Sequence, residues 1–247
     1  MNAAIITARM GSSRLPGKVM LDLAGAPMLQ RMVERVRRAE LVDKVVVATT
    51  GHPADDIIAD LCRRMGCGCF RGAEHDVMDR VLRAAQEAEA AEVVHLTGDC
   101  PFADAELIDA TVAFFRANSF DYVGNNLNGT FPIGLDVRMF ATQALRDAAA
   151  RTSNPVDRVH VTYYLYMHPE RYAVGGWDAP QGMHAGYRLT VDEFADYRLA
   201  LTVFRALSRQ SAAFPSFSVS ELMAFLKDNP AIAALNAHVR QKAPEEG

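Results

Sequence analysis

The residues best suited to chemistry lie near the N-terminus, in Ala8-Arg9-Met10-Gly11-Ser12-Ser13-Arg14-Leu15-Pro16-Gly17-Lys18. Three cations, Arg9, Arg14 and Lys18, sit among small residues directly after a short β-branched run. Gly11, Ser12 and Ser13 let the backbone come close to a ligand, and their N–H and hydroxyl groups can face phosphate oxygens. Arg14 offers a planar fork and Lys18 a point charge, together suited to the charge of a triphosphate. A solvated basic loop is the plainer reading, but it leaves three cations between glycines unexplained. The loop is not a Walker A sequence: five residues separate Gly11 from Gly17, and Val19 stands where Ser or Thr would hold magnesium. Nor is it G-x-G-x-x-G, because Ser13 and Arg14 break that pattern. A P-loop ATPase and a dinucleotide fold are therefore disfavoured.

Two carboxylates share a second pattern. Asp99 follows the apolar run 92–97 and Gly98, and Asp192 closes the run 187–191. A carboxylate at a strand end is a natural magnesium ligand when phosphate supplies further oxygens. For Asp99 the alternative is a turn or cap aspartate. For Asp192 it is an N-cap for a helix starting at Glu193. Four cysteines, Cys62, Cys67, Cys69 and Cys100, lack Cys-x-x-Cys spacing and a matching second pair, so packing is favoured over zinc. Cys100 has no evident base and also reads as packing.

These groups need elements to carry them. The pattern predicts strands at 3–8, 45–48, 67–70, 92–97 and 121–124, with helices over 27–38, 54–65, 76–90 and 105–117 between them. That alternation predicts a mostly parallel, doubly wound α/β sheet. Ligands of such sheets lie beyond the carboxyl ends of the strands, which places the first loop and Asp99 on one edge. Further on, Thr142 is expected to cap a helix to 150, and Asn154-Pro155 to start one reaching 168. Strands are expected over 172–177 and 187–191, then a long helix over 193–209. Ser218-Val219-Ser220-Glu221 is a capping-box pattern for another helix, stopped by Asn229-Pro230. Residues 231–242 form either one more helix or a docking tail.

The chain has 247 residues, half of them hydrophobic, with a net charge of −4. It can bury a large core, and it carries no global attraction for nucleic acid or a membrane surface. No stretch reads as a signal peptide or a membrane span, so a cytoplasmic protein is expected.

The first loop resembles the opening of sugar-activating nucleotidyltransferases. The likeness is to the cytidylyltransferases of acidic sugars (acylneuraminate and 3-deoxy-manno-octulosonate type), in the branch named for spore-coat polysaccharide biosynthesis. It is carried further by Gly98-Asp99-Cys100-Pro101, Gly134-Leu135-Asp136-Val137, His160-Val161-Thr162 and Leu189-Thr190-Val191-Asp192. The resemblance implies a nucleotide-diphospho-sugar transferase (GT-A-like) fold. It implies transfer of a cytidylyl group from CTP to a sugar hydroxyl, with release of pyrophosphate, for surface polysaccharide or glycan synthesis. Catalysis would rest on Arg14, Lys18 and Asp99. The nucleotide would bind Ala8, Arg9, Met10, Gly11, Ser12, Ser13, Arg14, Lys18 and Gly98. Asp99 and Asp192 would hold Mg2+. The sugar would meet Asn125, Asn126, Gly134, Asp136, Arg158 and His160, although His160 can equally be a hydrogen-bonded core histidine. The expected organisation is a nucleotidyltransferase domain over 1–210, a sugar-contacting and homodimer-forming segment at 125–180 within it, and a helical extension over 211–247.

The chain departs from its relatives in the sugar half. Ile133 and Arg138 replace residues that are usually acidic, Val159 replaces a Glu, and Tyr163 replaces a Pro. An unusual sugar is one consequence to expect, and nucleotide binding without turnover is the other. A GT-A glycosyltransferase is the competing enzyme class, but Asp99 lacks the partner two residues away that an Asp-x-Asp metal motif requires.

Overall fold

Strand β1 (Asn2–Thr7) is buried along all but its last residue. Parallel strands flank it, β2 (Lys44–Thr50) on one side and β4 (Glu92–Thr97) on the other, with β3 (Gly68–Gly72) beyond β2. The computed structural model describes residues 1–211 and 214–243. Its seven strands run in the order β3-β2-β1-β4-β6-β5-β7. Short strands β5 (Tyr122–Gly124), β6 (Arg138–Ala141) and β7 (Val174–Gly175) extend the sheet past β4. Only β6 runs antiparallel to its neighbours, so the sheet is mostly parallel, as the alternation of elements predicts.

The strands alternate their side chains between two apolar layers, as a pleated sheet buried on both faces requires. Ala4, Ile6, Val47 and Leu96 meet helices α1 (Met28–Val36), α2 (Asp56–Met65) and α4 (Ala105–Ala117). Ala3, Ile5, Ala48 and Val93 meet α3 (Val77–Glu87) and α5 (Thr142–Arg151). Helix α1 shows why such segments fold as read. Met28, Leu29, Met32, Val33 and Val36 form one stripe at helical spacing, and all five are buried. Burying a side chain of this size contributes about 1.5–3 kcal/mol.

Past β5 the expectations need correction. The helix expected over 154–168 is two short ones, α6 (Pro155–Val159) and α7 (Tyr163–Met167). The break falls at 160–162, where Val161 adopts a left-handed φ of 51°, an unfavourable conformation for a β-branched residue. The strand expected over 172–177 is reduced to β7. The stretch 187–191 is extended but forms no ladder. It makes one bridge, Ile133 with Arg188, and donates Leu189 N–H to Ile133 O at 2.7 Å and Val191 N–H to Asp99 O at 2.8 Å. Thr142 does not cap α5; Ala141 holds that place, and the Thr142 hydroxyl donates to Ala90 O at 2.6 Å.

Helix α8 (Phe194–Gln210) starts in a capping box made by Glu193 and Asp196, so Asp192 is not its N-cap. Helix α9 (Val219–Asp228) keeps the Ser218–Glu221 capping box, and α10 (Pro230–Ala233) follows. Residues 212, 213 and 244–247 of the expected extension lie outside the described residues. The rest of it packs into the first apolar layer through Phe217, Leu222 and Leu226.

Candidate active site

The loop after β1 bends back on itself. Met10 O accepts the N–H of both Ser12 and Gly17 at 2.9 Å, and Gly17 takes a left-handed φ of 71° that glycine allows. Met10 N–H is anchored to Asp55 Oδ1 at 2.7 Å. Ser12 Oγ accepts Leu15 N–H at 3.3 Å. The bend returns Arg14 and Lys18 to the carboxyl edge of the sheet. There Lys18 Nζ lies 3.0 Å from Asp99 Oδ2 and 2.9 Å from Asp192 Oδ1. Arg14 Nη2 reaches the same Asp192 Oδ1 at 2.9 Å, and Arg188 Nη2 takes Oδ2 at 2.7 Å. Gly98 makes the approach of β4 to this loop possible, because a Cβ there would stand 2.9 Å from Thr7 O.

The charges are mutually supported. Burial works against the Lys18 ammonium, but Asp99 and Asp192 outweigh it and lift its pKa above the ordinary lysine value. Burial likewise opposes ionisation of Asp99, and Lys18 overrides it and holds the carboxyl below its usual value. Cys100 is pushed well up by burial and by neighbouring Asp99, so it stays a thiol, in line with a packing role.

A cleft of two lobes opens over this edge. The first, ≈ 330 Å³, is floored by the loop, Gly98, Asp99 and Asp192, and Arg80 of α3 reaches it. The second, ≈ 530 Å³, lies towards β6 and takes in His95, Asn126, Asp136 and Arg138. Thr7, Val77, Thr97, Val159 and His160 belong to both, so the lobes are continuous. The break between α6 and α7 forms their common wall. In the first lobe the buried Arg14 Nη1 and Arg80 Nε have no hydrogen-bond partner. In the second, the same holds for His95 Nδ1 and Asn126 Oδ1. Burial, with Arg138 and Arg80 nearby, pushes His95 down to about 3, so its ring is neutral. Burial raises the Asp136 pKa above its ordinary value although Arg138 lies 3.6 Å away and opposes the shift.

Most expected nucleotide residues meet in the first lobe: Ala8, Arg9, Ser12, Ser13, Arg14 and Lys18 from the loop, with Gly98 and Asp99 after β4. Arg9 is also paired, at 3.7 Å, with Glu74. Met10 and Gly11 shape the loop without lining the lobe. Of the expected sugar residues, Asn126, Asp136 and His160 line the second lobe. Asn125, Gly134 and Arg158 do not line either, and each has a structural task. Asn125 clamps the 125–137 loop by donating to Leu135 O at 2.9 Å and accepting Val137 N–H at 2.8 Å. Gly134 has φ 99°, and a Cβ there would stand 2.3 Å from Thr190 N. Arg158 is tied to Asp76 Oδ2 at 2.6 Å and to Ala149 O at 3.0 Å.

Sequence reading missed Arg80 and His95. A signal for Arg80 existed: it falls at i+3 of Val77 and i−4 of Ala84, on the inward stripe of α3. A cation on an apolar stripe is a candidate for a buried anion contact. His95 shares a face of β4 with Val93 and Thr97, and with Thr97 it lines the cleft.

Among the described residues no group of three His, Cys, Asp or Glu could hold a metal. Asp99 and Asp192 nevertheless converge on one cation, the Lys18 ammonium, so two hard oxygen donors face a common point. That donor set fits a magnesium-type ion that draws its other ligands from water and phosphate.

Comparison with known proteins identifies the family. A family profile described as Cytidylyltransferase matches residues 3–225. The spore coat polysaccharide biosynthesis protein SpsF of Bacillus subtilis is 34% identical over 234 residues, 92% of this chain and 94% of the relative. The 3-deoxy-manno-octulosonate cytidylyltransferase of Anaeromyxobacter dehalogenans is 43% identical over 179 residues, 66% of this chain and 72% of the relative. Among solved structures, a cytidylyltransferase from Leptospira borgpetersenii superposes with a TM-score of 0.88 at 29% identity, covering 98% of this chain and 99% of that one. The chain therefore belongs to the cytidylyltransferase family and is a nucleotidyltransferase.

Proposed function

We propose that the protein transfers a cytidylyl group from CTP to a hydroxyl of an acidic sugar, giving a CMP-sugar and pyrophosphate for surface polysaccharide or glycan synthesis. The observation that carries this reading is the first lobe itself. A lysine held between two carboxylates lies beside buried guanidinium N–H groups that lack partners. Such a place accepts a polyphosphate together with a cation.

The sugar oxygen attacks the α-phosphorus, the bond from that phosphorus to the bridging oxygen breaks, and the hydroxyl proton is released. In an ulosonic acid the attacking group is the anomeric hydroxyl. Arg14 and Lys18 offset the charge that builds on the leaving pyrophosphate. Arg9 and the 11–13 backbone orient the nucleotide, and Arg80 supplies a further N–H to its phosphates. Asp99 and Asp192 would hold Mg2+, which when bound supplies charge neutralisation and polarises the α-phosphate. Positioning and electrostatics carry this class of reaction, so the chain needs no nucleophilic side chain.

The second lobe is assigned to the sugar. Neutral His95 and Asn126 suit hydroxyl groups. Arg138, its side chain 20% exposed and facing Asp136, suits a carboxylate, and Ile133 removes a negative charge from the same lobe. The 125–180 segment is assigned a homodimer contact, and it leaves Met167 exposed. The test is pyrophosphate release from CTP and Mg2+ with a panel of acidic and neutral sugars. Turnover with sugar acids is expected. Turnover confined to sugar 1-phosphates would overturn the assignment.

A further inference from the structure

The two oxygens of Asp192 have different partners. Oδ1 faces Lys18 and Arg14 in the cleft, whereas Oδ2 is taken by Arg188 Nη2 at 2.7 Å. Arg188 is itself gripped along its remaining edges. Its Nε donates to Asp196 Oδ1 at 3.0 Å, and its Nη1 donates to Gln241 Oε1 at 2.5 Å. Asn236 donates from Nδ2 to Asp196 Oδ1 at 2.8 Å and to the Arg188 carbonyl at 2.9 Å. Asp196 Oδ2 in turn accepts the backbone N–H of Asp192 at 2.9 Å. Both the peptide and the side chain of Asp192 are thus held by one network. Its far end is the C-terminal tail, 53 residues beyond Arg188.

Burial marks the inner part of this network as built, with Gln241 exposed at its outer end. Arg188 is 8% exposed, and Asp196 and Asn236 are each 1% exposed. Buried polar groups cost free energy unless they are satisfied, so apolar packing would dock a tail more cheaply. Here the tail contributes the Gln241 carboxamide oxygen to the Arg188 guanidinium and the Asn236 N–H to the Arg188 carbonyl and Asp196, and that guanidinium meets a carboxylate of the cleft. Gln241 and Lys242 also reach the second lobe, which brings the tail to the reaction site from another direction.

We infer that Arg188 is a positioning residue for Asp192, and that Asn236 and Gln241 complete it, so the C-terminal tail is part of the catalytic cleft. By occupying Oδ2, Arg188 fixes which oxygen Asp192 turns towards the nucleotide. Arg188 serves this role because its planar fork engages three side chains at once, which a lysine cannot do. The inference rests on the proposed metal role of Asp192.

The experiment measures Mn2+ binding to the full chain in the presence of CTP, by the loss of the free-ion paramagnetic resonance signal, together with the melting temperature. It compares wild type, Arg188→Lys, Gln241→Ala, Gln241→Glu and Asp192→Asn. Partners that orient a metal ligand typically change affinity 10–100-fold when removed. Arg188→Lys is expected to weaken Mn2+ within that range, and Gln241→Ala about tenfold with an unchanged melting temperature. Gln241→Glu keeps the acceptor and should restore the wild-type value. Wild-type Mn2+ affinity in both Arg188→Lys and Gln241→Ala, with loss in Asp192→Asn, would overturn the positioning role alone. So would a loss in Gln241→Ala that tracks a lower melting temperature and is not restored by Gln241→Glu. Wild-type Mn2+ affinity in Asp192→Asn would overturn the metal role of Asp192, and this inference with it.

Discussion

The two lobes of the cleft share a wall and differ in what they leave unpaired. In the first lobe the carboxylates are paired with Arg14, Lys18 and Arg188, and the unpartnered atoms are guanidinium N–H donors. In the second, the unpartnered atoms are an imidazole nitrogen and an amide oxygen, with one arginine–aspartate pair beside them. On the proposed reading, the first serves charge and the second serves hydroxyl groups beside one ion pair. The difference implies a division of labour. Changes in the first lobe should strike nucleotide and turnover together, whereas changes in the second should strike only the sugar.

The largest effect is expected from Asp99→Asn. The change keeps size and removes a charge that Lys18 and the proposed cation both use. Pyrophosphate release should fall roughly 10²–10³-fold, as when one preorganised electrostatic group is lost, while the circular dichroism spectrum stays that of the folded chain. Near-normal release would remove Asp99 from the reaction.

Lys18→Ala and Arg14→Ala come next. Each removes a charge-assisted contact worth about 1.5–3 kcal/mol, so CTP affinity should drop roughly ten- to a hundredfold. Titration calorimetry measures this directly. Unchanged CTP affinity in both variants would dissolve the distinction between the lobes.

Arg138→Ala should behave in the opposite way. Its KM for an acidic sugar is expected to rise about tenfold, from loss of one ionic hydrogen bond, with CTP affinity intact. An equal loss for CTP would mean that the two lobes are one electrostatic unit.

A last effect concerns His95, and it is read in stability rather than in binding. The folded ring is held at a pKa of about 3 against an ordinary 6.5. As pH falls below 6.5, the unfolded chain takes up a proton that the folded chain refuses, so stability declines. By linkage the decline between pH 6.5 and 5 is about 2 kcal/mol. Urea unfolding at pH 7.5 and 5.0 should show His95→Gln losing less stability than wild type by about that amount. An identical loss in both proteins would mean that His95 is not desolvated at the floor of the second lobe.

The same division governs how much could be read from the sequence. The first lobe rests on local patterns: a β-branched run ending in a glycine–serine loop, and an aspartate closing a strand. Such patterns are written in adjacent residues, and they led to Arg14, Lys18 and Asp99. The second lobe rests on tertiary choices. The strand β6 exists because β4 and β5 pair with it, not because Arg138-Met139-Phe140-Ala141 has strong alternation. The α6–α7 break depends on a left-handed Val161 that no local preference favours. The stretch before Asp192 has a strand's composition, yet it borrows carbonyls from Ile133 and Asp99 instead of joining the sheet. The family resemblance made Arg158 a sugar residue, and only the fold shows it tied to Asp76.

The central claim is that the first lobe is built for CTP with a divalent cation. A thermal-shift comparison of all four nucleoside triphosphates, with and without Mg2+, tests it most directly. Binding stabilises by mass action, about 2.7 kcal/mol when ligand is a hundredfold above its Kd. CTP with Mg2+ should raise the melting temperature most, and omitting the metal should remove most of that rise. A larger shift with another nucleotide, or a CTP shift indifferent to Mg2+, would contradict the account.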